Sequence, residues 1–208
     1  MNKTIQNTLK KIGPPISKMI SMSQVEFILE NINNLLEKNI DGDLVELGCN
    51  VGTTSLYIQN FLNEFKSAKT FHVYDSFEGL PNMHINDKGS SKNFSKGSLK
   101  TSLVDFANNF SSKKVPLPHI HIGWFGDIPQ RCYPEQISFA FLDGDFYSSI
   151  IESLEKVYPK LTEGGIILVH DYEWGALPGP KKACDDFFKD KEEKVIYENN
   201  FIGKIIKN

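Results

Sequence analysis

The sequence has few cysteines, no long apolar run and no excess of basic residues, and each of these shortages excludes a class of protein. Its three cysteines, Cys49, Cys132 and Cys184, are odd in number and far apart. They therefore indicate neither a disulfide framework nor a thiolate metal site. We expect ordinary thiols, either packed in the core or at the surface.

Membranes and nucleic acids are not expected partners. No apolar run approaches the roughly 20 residues that a membrane-spanning helix needs, and the N-terminal stretch MNKTIQNTLKKIG lacks the apolar core of a signal peptide. The formal net charge is −3, and lysines are scattered in pairs such as Lys113-Lys114 rather than grouped into one basic face. We therefore expect a cytoplasmic protein that binds neither a membrane nor a nucleic acid.

The N-terminal part of the chain is expected to be helical. Apolar residues recur at spacings of three and four through residues 23–39, which is typical of an amphipathic helix, and Ser23 is available as its cap. We interpret residues 1–40 as an N-terminal helical segment that either caps a site or joins subunits into a homo-oligomer. Residues 41–208 then form the main domain, and their length and apolar content suffice for a substantial core.

Strand-like and helical runs alternate along this main domain. DLVEL, TFHVYD, HIHI, ISFAFLD and GIILVHD are β-rich, and helical runs separate most of them. This alternation predicts an α/β fold with a mostly parallel sheet, and the unbroken apolar runs FAFL and IILV predict helices on both faces. The tail KVIYENNFIGKIIKN predicts an antiparallel hairpin at the C-terminus, with an Asn-Asn turn.

One long stretch has the composition of a loop. Residues 81–98, PNMHINDKGSSKNFSKGS, are rich in Gly, Ser, Asn and Lys. A loop of this length inside a domain is usually functional or disordered. Because it follows the C-terminal end of a strand, we interpret it as a lid over the site, with a simple mobile insertion as the alternative.

A glycine turn follows the first strand, in GDLVELGCNVGTT. Ligands of open α/β sheets bind beyond the C-terminal strand ends, where the strand order reverses. A dinucleotide site would carry a glycine where Asn50 stands, and Glu46 would repel a pyrophosphate but attract a cation. These features favour S-adenosylmethionine, a nucleoside with a sulfonium and no phosphate, over the cofactor of an oxidoreductase. Asp75, at the end of the second strand, is expected to accept both ribose hydroxyls. In the alternative interpretation Gly48, Gly52 and Glu46 are only turn and cap residues.

Acidic residues also end two later strands, as Asp143 and Asp145 after one and His170-Asp171 after the other. Converging carboxylates need a cation or a proton between them. Oxygen ligands suit Mg²⁺, whereas an imidazole favours Mn²⁺, Zn²⁺ or Fe²⁺. His170 and Asp171 can act together only if the chain turns there, since residues alternate along a strand. His170 is a metal ligand, a general base or a structural histidine, and Asp145 is predicted to cap the next helix.

Several motifs together resemble one enzyme family. They are DGDLVELGCNVGTTS, VYDSFEGLP, HIGWFGDIP, FLDGDFYSSIIESLEKVYPKLTEGGIILVHDY and PGPKKACDDFF, spread over roughly residues 41–188. This set is similar to the macrocin O-methyltransferase family, enzymes that use S-adenosylmethionine to methylate sugars of macrolides and aminocoumarins. The resemblance implies the class I methyltransferase fold, with a Rossmann-like sheet of seven strands.

The resemblance also implies a set of cofactor contacts. They fall on Glu46, Gly48, Gly52, Asp75 and Ser76, with Trp124 near the adenine, and Asp143 is expected to contact the cofactor as well. The family's Arg-Gly-Gly is replaced here by residues 50–54, Asn-Val-Gly-Thr-Thr, so Asn50 and Thr53 are expected to contact the methionine end in a different way.

Metal ligands are implied at Asp143, His170 and Asp171, where His170 replaces an aspartate of the family pattern. The expected ion is Mg²⁺, with Mn²⁺ or another divalent ion as the alternative because of the imidazole. Asp143 is the expected general base, and His170 is the base if the enzyme works without a metal. The expected acceptor is a sugar hydroxyl of a glycoside or nucleotide-linked sugar, with a catechol-like phenol as the alternative. Phe146 and Trp174 are candidates to stack on either.

Overall fold

The computed structural model describes residues 2–198 and 200–208, which contain a seven-stranded sheet. Across the sheet the strands run in the order β3-β2-β1-β4-β5-β7-β6. Strands β1 to β5 pair in parallel, and β7 is antiparallel to both β5 and β6. The strands are β1 (Asp43–Leu47), β2 (Phe71–Asp75), β3 (His119–Ile122), β4 (Ile137–Leu142), β5 (Leu161–Val169), β6 (Ile196–Glu198) and β7 (Ile202–Ile206). The predicted fold class is confirmed, including the C-terminal hairpin, although Asn199 of the Asn-Asn turn lies outside the described residues.

Six α-helices accompany the sheet in the described part of the chain: α1 (Lys3–Ile12), α2 (Met22–Glu37), α3 (Thr53–Phe65), α4 (Leu103–Lys113), α5 (Tyr147–Val157) and α6 (Gly179–Phe187). Within residues 2–198 and 200–208, no helix combines the length and apolar character needed to cross a membrane. Helix α2 begins before the predicted Ser23, because Ser21 is its cap. Ser21 and Gln24 form a reciprocal capping box, in which each side chain accepts the other's backbone N–H.

Side chains of the strands alternate between two apolar layers. Leu44, Phe139 and Leu168 belong to the cluster that contains α1 to α4, whereas Val45, Ala140 and Ile167 belong to the cluster with α5 and α6. Alternation is a consequence of the strand's two-residue period. Because both faces are covered, β4 is buried along its whole length, which explains its unbroken apolar sequence.

The helices of residues 2–40 share the core of the sheet. Ile5 and Ile12 of α1 are each 1% exposed and belong to the same cluster as the strand residues. The Tyr57 hydroxyl of α3 also donates to the Gly13 carbonyl, at 2.6 Å. In this region Ile16 and Met19 are the large apolar side chains that stay exposed.

The loop of residues 81–98 is tied to the start of α5. Asp87 is fully buried, and its carboxylate accepts the backbone N–H groups of Tyr147 and of His84, both at 2.8 Å. Gly179 leaves room for this carboxylate, since a Cβ there would lie 2.1 Å from Asp87 Oδ1. The prediction that Asp145 caps α5 was wrong: the chain turns at Asp145 with φ 59°, and the distant Asp87 supplies the acceptor.

Candidate active site

Sheet register brings the predicted polar residues to one level. Leu47 of β1 pairs with Tyr74 and with Leu142, and Leu142 pairs in turn with Val169. The next residues along these four strands are Gly48, Asp75, Asp143 and His170, so they lie in one row across the C-terminal edge. This row includes the point where the strand order reverses between β1 and β4.

The turn after β1 depends on residues that tolerate positive φ. Gly48 has φ 95°, and a Cβ there would lie 2.0 Å from the backbone oxygen of Asp143. Asn50 has φ 45°, a conformation that asparagine adopts more readily than most residues. Its side chain donates to the Leu99 carbonyl at 2.7 Å. Gly52 starts α3 and packs against the ring of Phe106, and it does not line the cavity described below.

Asp75 stabilises this turn through hydrogen bonds to its backbone. Its Oδ2 accepts the N–H groups of Cys49 and Asn50 at 2.9 and 2.8 Å, and its Oδ1 accepts from Phe77 N at 2.8 Å. An ionised carboxylate offers about four acceptor positions. Three of these are used within the chain, so Asp75 keeps acceptor capacity for a ligand, and its contact with the ribose hydroxyls stays a prediction.

Glu46 is a buried acid beside the turn. It is 1% exposed and accepts a hydrogen bond from Ser55 of α3. Burial raises the pKa of Glu46 well above its ordinary value, the Ser55 hydrogen bond opposes this, and the nearby charges of Asp143 and Asp75 raise it further. A cation in the cavity would relieve both the burial cost and the repulsion.

These residues line a cavity of about 890 Å³, counting the part open to solvent. The predicted residues that line it are Glu46, Gly48, Asn50, Thr53, Asp75, Ser76, Trp124, Asp143, His170 and Asp171. Asp145 adds a further carboxylate, and in the described chain no lysine or arginine belongs to the lining. Burial raises the pKa of Asp145 well above its ordinary value, and Asp143 and Asp171 add to the effect. The cavity is therefore suited to a positively charged ligand.

Part of the cavity wall comes from the connection between α1 and α2. Ser17, Met19 and Ile20 line it, and the Ser17 N–H donates to the Thr53 hydroxyl at 3.2 Å. Trp124, which is 37% exposed, lies in another part of the wall.

The aromatic residues considered for stacking lie elsewhere. Phe146 is fully buried in a cluster with Leu80, Phe94 and Leu177. Trp174 packs edge-on against Phe94, with 5.8 Å between ring centroids. Neither ring belongs to the lining of the cavity. The expectation that they stack on an acceptor bound in this cavity was therefore wrong.

Asp143, His170 and Asp171 form one cluster. The chain turns after β5, with φ 55° at Asp171, so His170 and Asp171 face the same point. His170 Nδ1 lies 2.9 Å from Asp143 Oδ1 and 3.3 Å from Asp171 Oδ2, and one potential ligand atom from each of the three residues lies within 4.8 Å of the others. Burial lowers the pKa of His170, whereas Asp143 and Asp171 raise it above the ordinary value. A second proton, on Nε2, would however face the amide donor of Gln24 at 2.9 Å, and this contact opposes the doubly protonated form.

This cluster fits a divalent cation only in part. The carboxylates of Asp143 and Asp171 are suitable oxygen ligands. A ligating imidazole needs a free lone pair toward the metal and an acceptor for its other N–H. His170 Nδ1 lies at hydrogen-bonding distance from both carboxylates, and its Nε2 faces the amide nitrogen of Gln24 at 2.9 Å. His170 therefore does not fit as the third ligand.

Gln24 was not predicted as a site residue. The pattern Ser-x-x-Gln at residues 21–24 signals a helix start, which the structure bears out. Nothing in that pattern indicates a contact with a residue 146 positions away. The sequence around Ser55 likewise gave no indication that its hydroxyl would donate a hydrogen bond to Glu46.

The topology and the position of the cavity are those of the class I methyltransferases. Residues 10–199 match the family described as macrocin-O-methyltransferase (TylF). The chain belongs to this family, and the resemblance found in its motifs is thereby confirmed.

Named relatives are moderately similar in sequence. Demethyldecarbamoylnovobiocin O-methyltransferase of Streptomyces niveus is 27% identical over 176 residues, which are 81% of this chain and 66% of that protein. Mycinamicin III 3''-O-methyltransferase of Micromonospora griseorubida is 25% identical over 178 residues, 81% of this chain and 69% of that protein. The chain thus spans slightly less than two thirds of the first of these relatives.

Two solved structures of methyltransferases have the same fold as this chain. The O-methyltransferase NovP superposes with a TM-score of 0.83 at 24% identity, covering 92% of this chain and 82% of NovP. The calicheamicin methyltransferase CalS11 superposes with a TM-score of 0.75 at 15% identity, covering 98% of this chain and 91% of CalS11. At these identities the likeness concerns the fold.

Proposed function

We propose that this protein transfers a methyl group from S-adenosylmethionine to a hydroxyl of a sugar, in a glycoside or a nucleotide-linked sugar. The observation that carries the proposal is the cavity at the strand ends, where five carboxylates and no lysine or arginine among the described residues line the wall. Such a wall favours a sulfonium cofactor, which carries positive charge and no phosphate.

The related proteins support the donor and the acceptor class. One relative is named as a methyltransferase of a rhamnosyl-tetracenomycin, and CalS11 is described as a TDP-rhamnose 3'-O-methyltransferase. Methyltransferases of the same fold from Podospora anserina and Bacillus cereus are described in complex with SAH, the product of methyl donation. These are properties of those proteins, and we extend them to this chain as part of the proposal.

Asp143 is the proposed general base. In the reaction a bond forms between the acceptor oxygen and the methyl carbon, the bond from that carbon to sulfur breaks, and the hydroxyl proton leaves to the base. Asp143 lines the cavity, and its Oδ1 already accepts from His170 at 2.9 Å, which leaves Oδ2 for that proton. His170 is less suited to be the base, because its Nδ1 points at two carboxylates and its Nε2 at an amide donor.

A divalent cation such as Mg²⁺ held by Asp143 and Asp171 would supply Lewis-acid activation of the acceptor hydroxyl. Since His170 does not fit as a third ligand, no step of the proposed reaction depends on the cation.

The rest of the cavity wall suggests where the acceptor is enclosed. We propose residues 17–20 and the loop of residues 81–98 as the cap and lid, since Ser17, Met19, Ile20 and Pro81 line the cavity.

The test is a methyl-transfer assay with labelled S-adenosylmethionine and a panel of nucleotide-linked sugars, glycosides and catechols. We expect label on a sugar hydroxyl, and we expect Asp143→Asn to lower turnover by about 100-fold or more while donor affinity, measured by calorimetry, changes little. Asp127→Asn, the same change at an exposed position outside the cavity, is the control. Wild-type turnover in Asp143→Asn would remove this residue from the mechanism, and transfer to catechols alone would contradict the sugar assignment.

A further inference from the structure

We infer that Gln24 keeps the proton of His170 on Nδ1, so that His170 donates a hydrogen bond to Asp143 instead of binding a metal ion. Gln24 is thus a positioning residue that acts through His170 on the proposed base. The inference rests on the proposed function for the role of Asp143, but the arrangement of protons follows from hydrogen bonds alone.

The orientation of the Gln24 amide is fixed by backbone groups. Its Oε1 accepts from the Ser21 N–H at 2.8 Å, and its Nε2 donates to the Asn200 carbonyl at 2.8 Å. If the amide were reversed, its NH₂ group would face the Ser21 N–H and its oxygen would face the Asn200 oxygen. Two repulsive contacts would replace two hydrogen bonds at a side chain that is only 7% exposed.

The second N–H of this amide sets the proton position on His170. Gln24 Nε2 lies 2.9 Å from His170 Nε2, and since Gln24 donates, His170 Nε2 must accept. The imidazole proton then lies on Nδ1, where Asp143 Oδ1 at 2.9 Å and Asp171 Oδ2 at 3.3 Å can accept it. Both ring nitrogens of His170 and both polar atoms of the Gln24 amide are then paired.

This proton arrangement prevents His170 from binding a cation. With Nδ1 protonated and Nε2 occupied by Gln24, His170 has no lone pair for a metal, and the cluster is reduced to two carboxylate ligands. The Nδ1–H group lies between these carboxylates and partly relieves their repulsion. It also fixes one oxygen of Asp143, which leaves the other directed to the acceptor.

The first test is nitrogen NMR of histidine-labelled protein without donor, acceptor or metal. The His170 signals are identified by their loss in His170→Asn. We expect wild-type His170 to carry its proton on Nδ1 and none on Nε2. A proton on Nε2 in the wild type, with or without one on Nδ1, would overturn the inference.

The second test uses Gln24→Glu, in which a carboxylate oxygen replaces the amide donor and can accept from a protonated Nε2. We expect the proton to move to Nε2, which frees Nδ1, and affinity for Mn²⁺ measured by calorimetry to rise about 10-fold or more. Asn200→Asp is the matched control, since it adds the same charge nearby while keeping Gln24. We expect it to give a clearly smaller gain.

Equal Mn²⁺ affinity in wild type and Gln24→Glu, or an equal gain in Asn200→Asp, would overturn the inference. Neither test involves methyl transfer. The proposed function fails separately, through the absence of labelled product, so the two failures are distinguishable.

Discussion

At the scale of single residues, Glu46 is the carboxyl that we expect to change its protonation state when the proposed donor binds. Its carboxyl is buried, and burial together with Asp143 and Asp75 raises its pKa despite the hydrogen bond from Ser55. A sulfonium or ammonium group nearby favours the ionised form and so lowers that pKa again. Binding of a cationic donor should therefore release a proton from Glu46.

We predict that Glu46→Gln weakens donor binding about tenfold or more, because a neutral amide does not attract the cation. Proton release should fall at the same time, and calorimetry in buffers of different ionisation enthalpy measures both. Glu155→Gln, at an exposed position on α5, is the control for loss of one charge. Unchanged affinity and unchanged proton release in Glu46→Gln would contradict the proposed charge match.

The same variant should alter the pH dependence of stability in the absence of ligand. Because the folded pKa of Glu46 is raised, the folded state retains a proton that the unfolded state has lost above about pH 4.5. The contribution of Glu46 to stability therefore falls as pH increases from that value through the folded pKa. Denaturant unfolding at several pH values should show this fall in wild type and a smaller fall in Glu46→Gln.

At the scale of elements, α5 depends on a loop that is distant in sequence. The residue at its N-cap, Phe146, has no side-chain acceptor, and Asp87 of the loop accepts from Tyr147 N instead. The capping interaction therefore joins helix stability to the position of the proposed lid.

We predict that Asp87→Ala lowers the free energy of unfolding by roughly 0.5–2 kcal/mol, the usual range for a lost helix cap, and raises KM for the acceptor. Ser102→Ala is the matched control, because Ser102 caps α4 by accepting from Asp105 N at 3.1 Å. It should cost similar stability and leave KM unchanged. If both variants change KM equally, the loop does not act as a lid.

At the scale of the whole molecule, the N-terminal helices and the sheet share one apolar cluster. A segment that shares its core with the rest of a domain should unfold with it. Of its two exposed large apolar side chains, Met19 lines the cavity and Ile16 lies outside it.

We predict a single unfolding transition that is the same by circular dichroism and by tryptophan fluorescence. Ile12→Ala, at a site 1% exposed, should lower the free energy of unfolding by about 2–5 kcal/mol and move both signals together. Ile16→Ala, at a site 42% exposed, should change it by less than about 0.5 kcal/mol. A separate early transition confined to residues 2–40 would show instead that this segment folds by itself.

The sequence alone determined the strands and the row of polar residues at their ends. Strand β1 was predicted at its observed bounds, because alternation and turn residues are local signals that act on the backbone where they occur. The condition set for His170 and Asp171, a turn directly after the strand, could also be stated in advance, since it follows from the two-residue period.

Only the tertiary structure decided which distant side chains form hydrogen bonds with each other and which residues cap the helices. Gln24 contacts His170 across 146 positions, and Asp87 rather than Asp145 accepts from the start of α5. Such partners depend on the path of the whole chain and on which donor or acceptor is left unpaired when the core closes. A local pattern specifies the conformation of its own segment, but it carries no information about the group that a distant segment places beside it.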